Sequence, residues 1–106
     1  MKSFNLDQMK KGWFVGDFVP TVLRDKNVEV ACKKYAKGDK ESSHYHAIAT
    51  EITLVVTGKV KMFDREWNSG DIILIEPNEA TSFEALTDSC TVVVKVPSVT
   101  NDKFNI

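Results

Sequence analysis

The chain has 106 residues, a formal net charge of −1 and an apolar fraction of 42%. That length makes one self-standing domain, residues 1–106, and the composition fits a soluble globular protein. The near-zero charge removes any electrostatic case for nucleic acid or an anionic membrane as partner, and no apolar run is long enough to span a bilayer. The N-terminal stretch Met-Lys-Ser-Phe-Asn-Leu-Asp-Gln-Met-Lys-Lys lacks the apolar centre of a signal peptide, so a cytoplasmic, reducing setting is expected. Cys32 and Cys90 match no metal or redox spacing and read as small buried hydrophobes rather than a bridge.

In chain order, residues 5–11 are expected to form a short helix. Asn5 is a fitting N-cap with Gln8 three residues on, and Gly12 is a natural stop. Leu6, Met9 and Trp13 recur at helical spacing, as a stripe that docks on a core. From Gly12 onward the signals are β. Trp13-Phe14-Val15 is a short run that ends before Pro20. Val28-Glu29-Val30-Ala31-Cys32-Lys33 alternates as a half-buried strand does, with Val28, Val30 and Cys32 expected to face inward. Lys37-Gly38-Asp39 marks a turn. The lysines around it (Lys33, Lys34, Lys37 and Lys40) read as a solvated strand end, with an anion-binding rim as the alternative.

Glu51 to Thr57 is a strand with an apolar middle, expected to be covered on both faces. Thr57-Gly58-Lys59 makes a hairpin turn and Val60 to Phe63 returns. Asp64-Arg65-Glu66 is polar and exposed, followed by Trp67 and the turn Asn68-Ser69-Gly70-Asp71. Ile72 to Ile75 is a continuous buried run that ends at the Pro77 turn. Thr81 to Leu86 and Thr91 to Val96 are two further strands. The tail, Ser98 to Ile106, is either frayed or packs Val99, Phe104 and Ile106 on a partner subunit. Short strands between frequent turns argue for an antiparallel sandwich or small barrel.

The chemistry concentrates between Gly38 and Gly58. Both histidines of the chain, His44 and His46, lie there two residues apart, and Glu51 follows. On a strand, residues two apart share a face, so the imidazoles can converge. Glu51 stands at an odd offset from His46, so a turn, bulge or strand change within residues 47–50 is required if the three are to meet. Two imidazoles and a carboxylate form a set that holds a transition metal with open positions.

With these residues in hand, the chain resembles the cupin superfamily. Gly38, His44, His46, Glu51 and Gly58 satisfy the spacing of that family's first motif. Gly70-Asp71, Ile72 to Ile75 and Pro77 resemble the second, with three departures: the strand before Pro77 is one residue longer than that motif's spacing, Glu79 stands in the place of a glycine, and Ser82 where the fourth metal ligand, a histidine, is expected. The resemblance implies an all-β, antiparallel jelly-roll barrel, here with a short N-terminal helix. It also implies a homodimer and an interior site centred on His44, His46 and Glu51.

Three functions are compatible with these residues. In the first, His44, His46 and Glu51 hold a divalent metal (iron, nickel, zinc or manganese) beside a small polar metabolite, a carbohydrate or organic acid; Ser82 leaves room for it, and Glu84, on the face of Ser82, is a replacement ligand or general acid/base. In the second, the protein is a metal-free keto-sugar isomerase or epimerase, as some cupins are, with His44 or His46 as base and Glu51 or Glu84 orienting it. In the third, it binds a small polar metabolite, a carbohydrate or organic acid, without turnover. Glu76 and Glu79 are expected outside the site, Tyr45 on the face opposite the histidines, and Trp13, Trp67 and Phe83 in the core or a subunit interface. Tyr35 is undecided, because the alternation slips at Lys33-Lys34.

Overall fold

The computed structural model describes residues 1–106. Its strands are β1 (Trp13–Val15), β2 (Glu29–Tyr35), β3 (Lys40–His46), β4 (Thr50–Thr57), β5 (Lys59–Met62), β6 (Arg65–Asn68), β7 (Ile72–Ile75), β8 (Thr81–Ala85), β9 (Ser89–Val96) and β10 (Lys103–Asn105). They form two five-stranded sheets, in the orders β1-β2-β9-β4-β7 and β10-β3-β8-β5-β6. All pairings between these strands are antiparallel, as the turn spacing predicts. No helix is long and apolar enough to cross a membrane.

The helix expected over residues 5–11 is only a 3-10 turn, Leu6–Gln8. Its capping box is intact: the Asn5 side chain accepts from the Asp7 N–H at 2.9 Å, and Gln8 accepts from the Asn5 N–H at 2.9 Å. A cap stabilises a first turn but does not propagate it. Here Met9 is already extended, Lys11 and Gly12 adopt φ of 52° and 83°, and Lys10 bridges to Trp13. None of the three turn residues is buried, so no face rewards a longer helix.

The alternation of β2 is present with its faces reversed. Glu29 and Ala31 are buried and, with Lys33 and Tyr35, lie on the interior side, whereas Val30 and Cys32 point outward. On β9, Ser89, Thr91, Val93 and Lys95 face in, while Cys90, Val92, Val94 and Val96 face out. On β4, Thr53 and Val55 are buried and Ile52 and Val56 are exposed, so this strand is not covered on both faces. Nor is Ile72 to Ile75 a continuous buried run: Ile73 and Ile75 are buried, but Ile72 and Leu74 are 66% and 57% exposed. Period-2 alternation sorts residues into two sets without saying which set is inside. The sequence-based assignment gave Val28, Val30 and Cys32 to the interior, and β2 turns Val30 and Cys32 outward. Cys32 and Cys90 are free thiols on that outer face, with sulfurs 3.6 Å apart.

The packed core fills one end of the space between the sheets. Val55, Val60, Met62, Ile73, Ile75, Phe83 and Ala85 form it, with Tyr35, Phe63 and Trp67 against its rim. Phe83 therefore takes the core position expected of it, and Trp67 packs half-buried against the core. Asp64, Arg65 and Glu66 are exposed as expected, yet Arg65–Asn68 is a strand, paired with β5 through a tight turn in which Phe63 and Asp64 adopt φ of 52° and 56°. Gly58 closes the β4–β5 hairpin at φ 86°, and an added Cβ there would collide with the Asp88 carbonyl oxygen. Gly58→Ala is accordingly expected to cost about 1–3 kcal/mol through forced left-handed backbone and this clash, read as a lowered denaturant midpoint.

The tail is an edge strand, not a frayed end. β10 pairs with β3 in the register Lys103↔His46, Phe104↔Tyr45, Asn105↔His44, and Phe104 stacks on Tyr45 with ring centroids 5.3 Å apart. Tyr45 thus lies on the face away from the histidines, as alternation requires.

Candidate functional site

β3 carries the histidines, and a local irregularity aims them. Its pairing with β8 slips between Glu41↔Phe83 and His44↔Thr81. Two residues there oppose one, the signature of a bulge at Ser42-Ser43. The slip lets Glu41, His44 and His46 line the same cleft despite the odd offset from 41 to 44.

Glu51 joins them because the chain turns between β3 and β4, where the odd offset demanded it. Asp102 holds that turn. Its carboxylate, in a residue only 4% exposed, accepts from the backbone N–H groups of Ala47 (3.0 Å), Ile48 (3.1 Å) and Ala49 (2.9 Å). The Asp102 carbonyl oxygen lies 3.1 Å from His46 Nδ1. A carbonyl can only accept, so Nδ1 carries the hydrogen and Nε2 is the nitrogen left for chemistry. Asn78, in the Pro77 turn, donates its N–H to the His46 carbonyl at 2.7 Å. Ring and backbone of His46 are both pinned.

His46 Nε2 stands 3.6 Å from Glu51 Oε1, inside ion-pair range and just beyond a hydrogen bond. The Thr53 hydroxyl donates to Glu51 Oε2 at 3.2 Å. Burial pushes the Glu51 carboxyl up, but His46, Thr53 and Lys95 outweigh it and hold the group below its ordinary value. A depressed folded-state pKa contributes stability that is intact above the unfolded value and lost as pH falls through the folded one. Urea midpoints across roughly pH 3 to 6 are therefore expected to fall on acidification, and Glu51→Gln is expected to flatten that fall.

His44 lies beside His46, ring centroids 5.4 Å apart and nearly perpendicular. Its Nδ1 is 3.0 Å from the Ser42 carbonyl oxygen, again leaving Nε2 free. The donor chemistry thus suits a metal, since ligating histidines usually spend their second nitrogen on such a partner. The geometry does not: no three His, Cys, Asp or Glu side chains gather at metal-ligand spacing anywhere in the chain. Of the expected triad, the structure brings His46 and Glu51 into contact and leaves His44 at their side.

The surrounding cleft has a volume of about 1220 Å³. Its walls also hold groups outside the expected triad. Lys95 Nζ lies 3.3 Å from Glu29 Oε2, with both residues buried. The Tyr35 hydroxyl donates to Glu41 Oε1 at 2.7 Å; burial, with Glu41, holds this phenol far above its ordinary value, so it stays protonated. Trp13, expected in the core or an interface, lines the cleft with Lys33 and Lys95 at 5.2 Å and 5.5 Å from its ring centre. The signal for Glu29 and Lys95 was present: each stands between two valines, and only the choice of face hid them.

Ser82 and Glu84 are not part of the cleft. On β8, Phe83 and Ala85 are buried and face the core, which turns Ser82 and Glu84 to the opposite face. Glu84 lies there across from Lys40 and Lys61. The large apolar ring of Phe83 sets this register, overriding the motif position that would place Ser82 inside. Glu76 and Glu79 are exposed, as expected.

No family model and no curated protein matches the chain. Solved structures do match. An uncharacterized conserved protein with a double-stranded β-helix domain from Klebsiella pneumoniae subsp. pneumoniae MGH 78578 superposes over 92% of this chain and 85% of its own, at 17% identity and TM-score 0.69. An RmlC-like cupin from Shewanella frigidimarina NCIMB 400 matches over 73% of this chain and 71% of its own, at 17% identity and TM-score 0.63. Bacillus subtilis oxalate decarboxylase, a protein with Mn(II) centers, matches over 76% of this chain but 24% of its own, at 17% identity and TM-score 0.64. At these identities the likeness speaks for the fold: this chain is folded as a cupin, a double-stranded β-helix, in agreement with the spacing of Gly38, His44, His46, Glu51 and Gly58.

Proposed function

We propose that the protein binds a small polar metabolite in the cleft and exchanges a proton with it through His46, with Glu51 as its partner. The observation that carries this reading is the charged wall that β2, β4 and β9 present to the cleft. Glu29, Lys33, Glu51 and Lys95 face the interior while Val30, Ile52, Val92 and Val94 of the same strands face outward. Burying charge costs stability and burying valine adds it. An arrangement selected for folding alone would be the opposite, so the charged wall serves a ligand.

In this reading the Asp102 carbonyl keeps Nδ1–H in place, His46 Nε2 takes a proton from carbon next to a carbonyl, and the Glu51 carboxylate stabilises the imidazolium that forms. The test is deuterium incorporation from heavy water into keto sugars and keto acids, in the presence of chelator. Exchange that disappears in His46→Gln supports proton transfer. Ligand-dependent stabilisation without exchange reduces the reading to a binding module.

A metal at His44, His46 and Glu51 is favoured by one observation, the two Nε2 atoms left free by backbone-bonded Nδ1 atoms. It would act there as a Lewis acid, and it requires the three side chains to draw together. Near-stoichiometric metal in purified protein, lost in His46→Ala and Glu51→Ala, is the result that supports it.

We also propose a homodimer through the outer face of the first sheet. The outward positions of β4, β7 and β9 carry no charged residue, so two copies can appose this face without burying an unpaired ion. Sedimentation analysis is expected to show a dimer that dissociates in Val94→Lys; a wild-type monomer at micromolar concentration would contradict it.

A further inference from the structure

The cleft is the basic region of a slightly acidic chain. Seven lysines line it against five carboxylates, whereas the whole chain holds 14 basic and 15 acidic residues. One ammonium buried in the cleft, that of Lys95, is matched within the protein by Glu29. Lys33 differs. It lies on the cleft wall, half-buried and without a carboxylate at ion-pair distance. Its ammonium stands over the Trp13 ring. Directly across the sheet is Thr91, 1% exposed, whose hydroxyl is the one buried side-chain polar atom in the protein without a hydrogen-bond partner. Burial pulls the Lys33 pKa down, and Glu41 and Glu51 only partly offset it, the mark of an ammonium short of counter-charge.

We infer that Lys33, with Trp13 and Thr91, forms a carboxylate-binding subsite, so that the ligand is a small organic acid whose remaining atoms extend toward His46. This rests on the cleft being the ligand site. The Lys33 ammonium takes the carboxylate in a charge-assisted bond, which is shorter and stronger than a neutral one. The Thr91 hydroxyl, buried on the residue paired with Lys33 and without a partner of its own, is the second donor of the subsite. The Trp13 ring forms an apolar wall for the carbon skeleton. The excess of lysines steers anions into the cleft, which makes association weaken with salt.

The experiment compares matched pairs by thermal shift and calorimetry: galacturonate with galactose, gluconate with glucitol, lactate with propane-1,2-diol, and glucose 6-phosphate as the phosphate arm. The expected result is that at least one acid stabilises the protein while its neutral partner does not. Lys33→Met and Lys33→Gln are expected to weaken that acid about tenfold or more, and Lys33→Arg to retain most of the affinity. Equal binding of acid and neutral partner, or full affinity in both neutral variants, overturns the subsite and leaves the proposed metabolite cleft standing. Response to glucose 6-phosphate alone overturns the carboxylate assignment. Silence from every acid and every neutral partner overturns the subsite and counts against the cleft reading as well.

Discussion

Lys95→Met is expected to destabilise the fold by about 3–5 kcal/mol. Lys95 and Glu29 are 9% and 8% exposed and their charged atoms lie 3.3 Å apart, while Ser98 donates to the second Glu29 oxygen at 2.9 Å. Methionine retains most of the side-chain volume but removes the ammonium. Glu29 is then a buried carboxylate without a counter-ion, and it must either protonate or draw in water. The double variant Lys95→Met/Glu29→Leu is expected to recover most of the loss, because replacing a whole buried pair by apolar groups is often neutral or stabilising. Urea denaturation of the four proteins in the cycle gives the coupling directly. Losses that simply add would show that the two charges do not act as a pair. A stable double variant that no longer binds ligand would show that the pair exists for the cleft rather than for the fold.

The second large effect is at Asp102. Asp102→Ala is expected to cost on the order of 3 kcal/mol or more, since three backbone N–H groups lose a charged acceptor at once and each such bond is a strong one. The consequence is local as well as global. The β3–β4 turn sets the distance between His46 and Glu51, and the same residue anchors the start of β10. Hydrogen exchange is the discriminating measurement: the amides of Ala47 and Ala49 are expected to lose protection while those of Val55 in the core keep theirs. Asp102→Asn retains one oxygen acceptor and is expected to fall between wild type and alanine. Uniform loss of protection across β3, β4 and β9 would show that Asp102 supports the whole barrel and not one turn.

The interior end of the barrel beside the core holds ionic groups, and the outer sheet face holds valines, isoleucines and leucines that face away from the core. A ligand inside and a second copy outside would resolve both features. Salt is expected to oppose the first and to leave the second nearly untouched, since one is electrostatic and the other apolar.

Several features follow from local sequence alone. The strands and turns are local properties, so alternation and Gly, Pro and Asn punctuation placed most of them near their observed bounds. Five residues at motif spacing marked the cupin fold, and the odd offset from His46 to Glu51 required the turn that Asp102 holds. Tertiary structure decided the rest, for three physical reasons. Alternation is symmetric under exchange of faces, so Glu29 and Lys95 were hidden until β2 and β9 were seen against the opposite sheet. Register depends on the largest buried side chain, so Phe83 turned Ser82 and Glu84 out of the site whatever the motif spacing suggested. Contacts distant in sequence leave no local pattern, so nothing near residue 102 announced that its carboxylate and carbonyl would bind residues 46–49. Chemistry was legible where it lay within one stretch, and became visible elsewhere only once the chain had closed on itself.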